Sequence, residues 1–237
     1  MYNPTFKTTA RQLPILSHNE MDTMGERLVA DFYPAAMETP MEIDIDRFLT
    51  QYLGLTQDFK YLSHCGLYLG MTVFEESDRI IVFNPDEYKA EYITAKAGTV
   101  FIDCSLLDCN QEHRYRFTVA HECSHQILHF KYFEHLSSML SADYIPSIQC
   151  RVDKTKAPNH TNYKRTEKDW MEWQANCLAS SILMPRKMVL KAVRQAERKS
   201  PSVNAGLEAV IRTFNVSNEA AYFRLQELGI IQAQNKR

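Results

Sequence analysis

A long helical pattern that directly follows a series of short apolar runs is the feature that most constrains the fold of this chain. Over residues 66–107 the runs LYLGMTVF, RIIVF and TVFIDCSL are separated by turn-forming residues, as in the strands of a small sheet. Over residues 111–129 apolar side chains recur at helical spacing. The sequence therefore predicts an α+β fold, in which three or four mostly antiparallel strands pack on one long helix.

Further helical patterns lie on both sides of this unit. They predict helices over residues 19–33, 45–53 and 170–184, another opened by Pro185, and two short C-terminal helices joined by residues 215–217. Residues 130–168 are polar and irregular, apart from a predicted strand over residues 148–152. We predict one domain over residues 1–200 and a small helical lobe, similar to a helix-turn-helix, over residues 201–237 packed on it.

Charge and hydropathy exclude several classes of function. The net charge is -2, with 27 Lys and Arg against 29 Asp and Glu, so no overall attraction to nucleic acid or to an anionic membrane is expected. No run approaches the about 20 apolar residues of a membrane-spanning helix, and the first residues lack the pattern of a secretory signal. We therefore predict a cytoplasmic protein without membrane partners. The six cysteines form no CxxC pair, which argues against a zinc ribbon.

The strongest chemical signal is an HExxH motif at His121, Glu122 and His125, inside the long helical pattern. Two histidines one turn apart differ by about 40° around the helix axis and about 6 Å along it, so both imidazoles can bind one ion. Glu122 projects away from the two histidines, where a carboxylate can reach a water at the metal. This arrangement predicts a zinc site with Glu122 as the general base.

A catalytic zinc site needs a third protein ligand. The glycine and third histidine of one common HExxH subclass are absent, because Lys131 stands at the ligand position. His129 lies too far along the helix to complete the site, so we expect it to have a packing or surface role. Glu172, near the start of the following helix, is the preferred ligand, with Asp169 as the alternative. Glu172 could instead form a capping box with Asp169.

Four other residues are candidates for supporting roles. Asn176, one turn after Glu172, could hydrogen-bond the carboxylate or a histidine and so orient a ligand, although simple helix packing is equally compatible. A donor to the oxyanion is also expected. His160, Tyr144 and Tyr163 could supply it, yet surface or packing roles fit these three residues better.

Two segments closely resemble the ImmA/IrrE family of metallopeptidases. They are RFTVAHECSHQILH at residues 116–129 and EWQANCLASSILMP at residues 172–185. In that family the first segment supplies two histidines and the general base, and the second supplies a glutamate ligand. The upstream LGMTVF and the terminal FNVSNEAAYFRLQELGI also look like the family, so the resemblance covers roughly residues 21–231.

The resemblance implies a zincin-like fold, one Zn²⁺ per chain, and an endopeptidase that inactivates a helix-turn-helix repressor in a mobile-element or stress-response circuit. Family members often carry an N-terminal repressor domain, and the residues before Met21 are too few for one. We therefore expect a stand-alone peptidase whose repressor is encoded separately.

Two other functions remain open from the sequence. The two C-terminal helices are compatible with a DNA-binding helix-turn-helix, but the helix that would contact DNA has Arg224 against Glu219 and Glu227, a poor charge for a phosphate backbone. The chain could also be a zinc-binding sensor or scaffold that does not cleave. Glu122 argues against this possibility, because a purely structural site needs no base.

Overall fold

The protein is a mixed α+β structure in which a small sheet packs against helices. The computed structural model describes residues 1–139, 147–151, 166–200 and 203–231. Among these, the helices are α1 His18–Phe32, α2 Ile45–Arg47, α3 Glu112–Met139, α4 Glu167–Leu183, α5 Arg186–Lys199, α6 Val203–Phe214 and α7 Asn218–Glu227. The strands are β1 Thr56–Lys60, β2 Tyr68–Val73, β3 Ser77–Asn84, β4 Lys89–Ala95, β5 Thr99–Asp103 and β6 Ser147–Arg151. The predicted α+β class is confirmed.

The main sheet has four strands in the order β1-β5-β2-β6. The β1 and β5 strands run parallel, and the other two pairs are antiparallel. Residues 66–107 do form four strands, but β3 and β4 pair with each other in a separate hairpin, which contacts the segment after β1 through an isolated bridge between Phe83 and Tyr61. The main sheet is completed instead by β1, which the sequence did not predict, and by β6, which lies at the predicted position. The prediction of a small, mostly antiparallel sheet is thus correct, but two of its four strands come from outside residues 66–107.

Helix α3 is longer than the sequence predicted and extends to Met139. Nothing after His129 stops a helix, since neither glycine nor proline follows until beyond its end. The added turns bury Tyr132 and Phe133. The ring of Phe133 stacks on Phe74 with centroids 4.2 Å apart, which fastens this end of α3 to the sheet side of the molecule. The first part of the connection predicted to be irregular is therefore helical.

Helix α4 lies between α1 and α3. It begins at Glu167, before the predicted start at residue 170, because Thr166 and Asp169 form a capping box at its N-terminus. The suggestion that Glu172 forms this box with Asp169 is therefore wrong. Further along α4, a Cβ atom on Gly25 of α1 would lie 2.6 Å from the Ser181 Cβ. The glycine allows the two helix backbones to approach closely.

The C-terminal helices α6 and α7 pack on the rest of the chain. Arg224 of α7 is 3% exposed, and its Nη2 lies 2.6 Å from Asp22 Oδ1. The same guanidinium donates from Nε and Nη2 to the Met184 carbonyl, at 3.1 Å in both cases. The only arginine of the suspected recognition helix is thus buried in an intramolecular contact. It is not presented to a DNA backbone, which removes the contact on which the DNA-binding hypothesis most depended.

In the described part of the chain, no helix combines the length and the apolar character that a bilayer crossing demands.

Candidate metal centre

The two histidines of the HExxH motif lie on the buried face of α3. His121 and His125 are 1% and 0% exposed. Their Nε2 atoms are 2.9 Å apart, and their ring planes are inclined at 75°. The helical spacing therefore brings both imidazoles to the same point, as the motif predicts.

Glu172 reaches the same point from α4. Its Oε2 lies 3.3 Å from His121 Nε2, and its Oε1 lies 3.7 Å from His125 Nε2. Ligand atoms of the three residues all lie within 4.8 Å of one another. The Glu172 side chain is 25% exposed, whereas both histidines are buried, so solvent reaches the cluster from the Glu172 side.

Hydrogen bonds on the far side of each ring determine which nitrogen carries the proton. Asn176 Oδ1 lies 2.9 Å from His121 Nδ1, so this nitrogen donates and His121 Nε2 keeps its lone pair. His125 Nδ1 lies 2.9 Å from His129 Nδ1, and His129 Nε2 lies 3.0 Å from Gln174 Oε1. Both ligand histidines thus have a polar partner behind the ring, as metal-binding histidines generally do.

These donors fit a divalent cation and are poorly satisfied without one. Burial lowers the pKa of His125 well below its ordinary value, with further lowering from His121 and His129, so His125 is neutral. Glu172 Oε1 has no hydrogen-bond partner. Two imidazole nitrogens and a carboxylate oxygen that face one another at these distances form a set of lone pairs that a cation between them would satisfy. Two nitrogens and one oxygen are also the donor set of catalytic zinc sites.

Glu122 is held beside the cluster by strand β2. Its side chain is fully buried, and Thr72 Oγ1 donates to its Oε2 at 2.7 Å. The other oxygen, Oε1, has no hydrogen-bond partner. Gly70 leaves room for this carboxylate, since a Cβ there would lie 2.8 Å from Glu122 Cδ. Burial raises the pKa of Glu122 to about 7, against the lowering effects of His121 and of the Thr72 hydrogen bond.

Of the other predicted site residues, one lies at the site, one caps a helix and three are outside the described residues. Asp169 Oδ2 accepts hydrogen bonds from Thr166 N and Oγ1 at 2.9 and 2.7 Å, so the alternative ligand is engaged in the helix cap. Asn176 contacts His121, as one of its two suggested roles requires. The three oxyanion candidates, Tyr144, His160 and Tyr163, lie outside the described residues.

Sequence reasoning missed four residues of the centre. His129 was expected to have a packing or surface role, and it is indeed buried, but it also contacts His125 of the candidate site through a ring nitrogen. Its spacing of one turn after His125 was a usable signal. Gly70, Thr72 and Gln174 gave no such signal, because each is brought to the site by packing between elements that are distant in sequence.

A second group of possible ligands lies elsewhere in the described part of the chain. His18, Cys177 and Glu227 each offer a donor atom within 4.8 Å of the others. Arg224 Nη1 lies 3.6 Å from Glu227 Oε2 and already supplies positive charge to that carboxylate. We assign no ion to this group.

A groove of about 360 Å³ adjoins the sheet and the two site helices. Most of its lining is apolar and includes Met71, Ile80, Phe133, Leu136 and Met171. Met71 precedes Thr72 and Met171 precedes Glu172 in the sequence. Elements that carry site residues therefore also form this groove.

Comparisons with known proteins give one family match. The model of Peptidase M78, described as the IrrE N-terminal-like domain, matches residues 149–226. This range contains Glu172 and Asn176, while the HExxH segment of α3 precedes it. No curated protein matches the chain.

Among solved structures, a Mycobacterium tuberculosis transcriptional regulator is similar at 13% sequence identity, with a TM-score of 0.46. The alignment covers 92% of this chain and 49% of that one, so the chain spans about half the length of that protein. The match of residues 149–226 to the model of the IrrE N-terminal-like domain confirms the resemblance to the ImmA/IrrE family over this range.

Proposed function

We propose that this chain is a zinc-dependent endopeptidase with a zincin-like active site. One observation carries the proposal: the Nε2 atoms of His121 and His125 and the carboxylate of Glu172 converge, with ligand atoms within 4.8 Å of one another. The family match to a peptidase domain supports the same conclusion independently. One Zn²⁺ per chain, held by these three residues, would leave a position open for reaction.

The chemistry that zinc supplies when bound is Lewis acidity, which polarises a peptide carbonyl and lowers the pKa of a water toward neutrality. The chain itself supplies the proton transfer. Glu122 Oε1 has no hydrogen-bond partner and is the atom available to take a proton from the attacking water and return it to the leaving amine.

Thr72 supports Glu122 in this role. By donating to Oε2 at 2.7 Å, the hydroxyl fixes the carboxylate and leaves only Oε1 for proton transfer. Burial raises the pKa of Glu122 to about 7, which is close to the value that suits a group taking and returning a proton at neutral pH. A site with no catalytic role has no need for this buried carboxylate, so Glu122 favours an enzyme over a zinc-binding scaffold.

The substrate that we propose is a helix-turn-helix repressor encoded separately from this chain. The support is the family resemblance, together with the apolar groove beside the site helices, which offers space for a substrate side chain between Phe133, Leu136 and Met171. When a segment of a protein substrate unfolds locally, its apolar side chains become exposed. A groove with an apolar lining can bind such side chains.

Cleavage of a purified helix-turn-helix repressor, encoded near the gene for this chain, tests the function. We expect cleavage that a chelator abolishes and that added zinc restores. The Glu122→Gln variant should bind zinc and lose activity by about 100-fold or more. Glu134→Gln, an exposed change on the same helix, is the matched control and should cleave normally. Undiminished cleavage by Glu122→Gln would refute the assigned base, and zinc binding without any cleavage would favour a sensor or scaffold.

A further inference from the structure

Two buried side chains, linked by hydrogen bonds, lie behind one ligand of the proposed zinc site. The first is Gln174 of α4, whose side chain is 0% exposed. Gln174 Nε2 donates to the Pro14 carbonyl at 2.8 Å. Because a carbonyl can only accept, this contact fixes the orientation of the amide, and Gln174 Oε1 must be the oxygen that faces His129.

The fixed amide determines the proton position on His129. Gln174 Oε1 lies 3.0 Å from His129 Nε2, so His129 Nε2 carries hydrogen and donates. In a neutral imidazole the other nitrogen is then an acceptor. His129 Nδ1 must therefore accept from the group opposite it.

That group is the ligand histidine. His125 Nδ1 lies 2.9 Å from His129 Nδ1, and since His129 accepts there, His125 Nδ1 must donate. His125 Nε2 is then left with its lone pair, pointing to the cluster with His121 and Glu172. In the opposite tautomer, His125 Nε2 would carry hydrogen and could not bind a metal.

We propose that Gln174 and His129 are positioning residues that select the metal-binding tautomer of His125, with the Pro14 carbonyl as the fixed end of these hydrogen bonds. This inference rests on the proposed zinc site. His121 is oriented separately by Asn176, so the two ligand histidines are controlled by different parts of the molecule.

The fixed end belongs to the N-terminal segment, residues 1–16, which contacts the site helices. Thr8 and Pro14 form an isolated bridge, and Leu13 is buried in the cluster that contains Phe133 and Met171. Arg11 Nη1 lies 3.2 Å from Glu167 Oε1 at the start of α4. Residues far from any ligand in sequence therefore hold the carbonyl that orients Gln174.

Nitrogen NMR of the histidine side chains tests the tautomers directly, without requiring cleavage. In the wild-type protein, with and without zinc, we expect the side-chain proton of His125 on Nδ1 and that of His129 on Nε2. Hydrogen on His129 Nδ1 in the folded protein would overturn the proposal, whether or not the chain is a peptidase.

Zinc affinity, measured by competition with a chromophoric chelator, tests the consequence. Gln174→Leu removes the acceptor for His129 and should weaken zinc binding by about 10- to 100-fold, as loss of a partner behind a ligand generally does. Gln174→Glu, whose protonated carboxyl can donate to the Pro14 carbonyl and accept from His129, should restore affinity to near the wild-type value at a pH where that carboxyl is protonated. Ser124→Ala is the control: Ser124 is buried on α3 but takes no part in the hydrogen bonds that link Pro14 to His125, so this variant should bind zinc as tightly as the wild type.

The outcomes separate this inference from the proposed function. Equal zinc affinities for Gln174→Leu and wild type would overturn the positioning role, and so would failure of Gln174→Glu to restore affinity in a folded protein. If the expected tautomers and affinities are found but no repressor is cleaved, the inference stands and the peptidase proposal fails. If Gln174→Leu does not fold, the wild-type NMR measurement still decides.

Discussion

Gly70 lies against the side chain of Glu122, so closely that a Cβ atom on the glycine would stand 2.8 Å from Glu122 Cδ. The strand that carries Gly70 also carries Thr72, whose hydroxyl donates to Glu122 Oε2. One strand therefore supplies both the space and the hydrogen bond that hold the proposed base.

Replacing Gly70 by alanine should displace the Glu122 carboxylate while leaving the zinc ligands in place. We expect cleavage to fall by about 100-fold, because a small misplacement of a reacting group is costly. Zinc content, measured by atomic spectroscopy, should remain at the wild-type level. Gly206→Ala is a suitable control, since a Cβ there would come no closer than 3.2 Å to the side chain of Val193, away from the site. An active Gly70→Ala protein would show that the carboxylate position is not critical.

Alanine substitutions of Asp169 and Glu172 of α4 should have opposite consequences. Glu172→Ala removes a proposed ligand and should weaken zinc binding by more than about 100-fold, beyond the effect of losing a partner behind a ligand. Asp169→Ala removes half of the capping box with Thr166 and should cost about 1 kcal/mol of stability while zinc stays bound. Calorimetric zinc titration and thermal unfolding of both variants provide the comparison. Retention of zinc by Glu172→Ala and its loss from Asp169→Ala would reassign the ligand.

Replacing Arg224 by methionine should destabilise the protein strongly. The change leaves the Asp22 carboxylate, whose side chain is 11% exposed, without its partner guanidinium. Breaking a buried ion pair from one side generally costs about 3–5 kcal/mol in the free energy of unfolding. Arg212→Met, which breaks an exposed pair with Glu208, should change stability by less than about 0.5 kcal/mol. Urea denaturation measures both, and equal small effects would contradict a packing role for α7.

The metal-free protein should lose stability in moderate acid. Burial lowers the pKa of His129 to about 4, from an ordinary value of 6.5. Between these values the unfolded chain binds a proton that the folded chain does not. The free energy of unfolding therefore falls as the pH falls through this window, and the His129 contribution levels off below it.

Urea denaturation of metal-free wild type and His129→Gln, at several values between about pH 7 and pH 4, isolates this contribution. The wild type should lose more stability than the variant, by an amount on the order of 3 kcal/mol. Parallel pH profiles would mean that His129 is already protonated, or that it is not buried in solution.

Local sequence patterns predicted the helices and strands of this fold better than they predicted which strands pair with one another. The helical spacing before and after His121 predicted α3, and the three apolar runs predicted β2, β3 and β5. Only pairing between distant segments decides that β3 and β4 form a hairpin of their own while β1 completes the sheet. Strand pairing depends on how side chains pack against neighbouring strands, and this packing cannot be predicted from the residues of one strand alone.

The same division holds within the candidate site. The pair His121 and His125 follows from helix geometry, and Glu172 was predicted from its place on the next helix. Their convergence is geometric, and their role as ligands stays a prediction. Gly70, Thr72 and Gln174 enter the site from other elements, and only the folded arrangement reveals them. Asp169 shows the reverse case, because an acidic residue that suited a ligand by spacing is used to cap its own helix.

The position of Glu172 on α4 has a consequence for how the protein matures. A nascent chain that has emerged only as far as α3 can offer two imidazoles to an ion, and two ligands hold zinc weakly. If His121, His125 and Glu172 are the ligands, as we propose, firm retention of zinc must await synthesis of α4 and its docking between α1 and α3. Stable zinc binding would then indicate that synthesis has passed residue 172, well beyond the midpoint of the chain. A product truncated before residue 172 would fail to retain the ion.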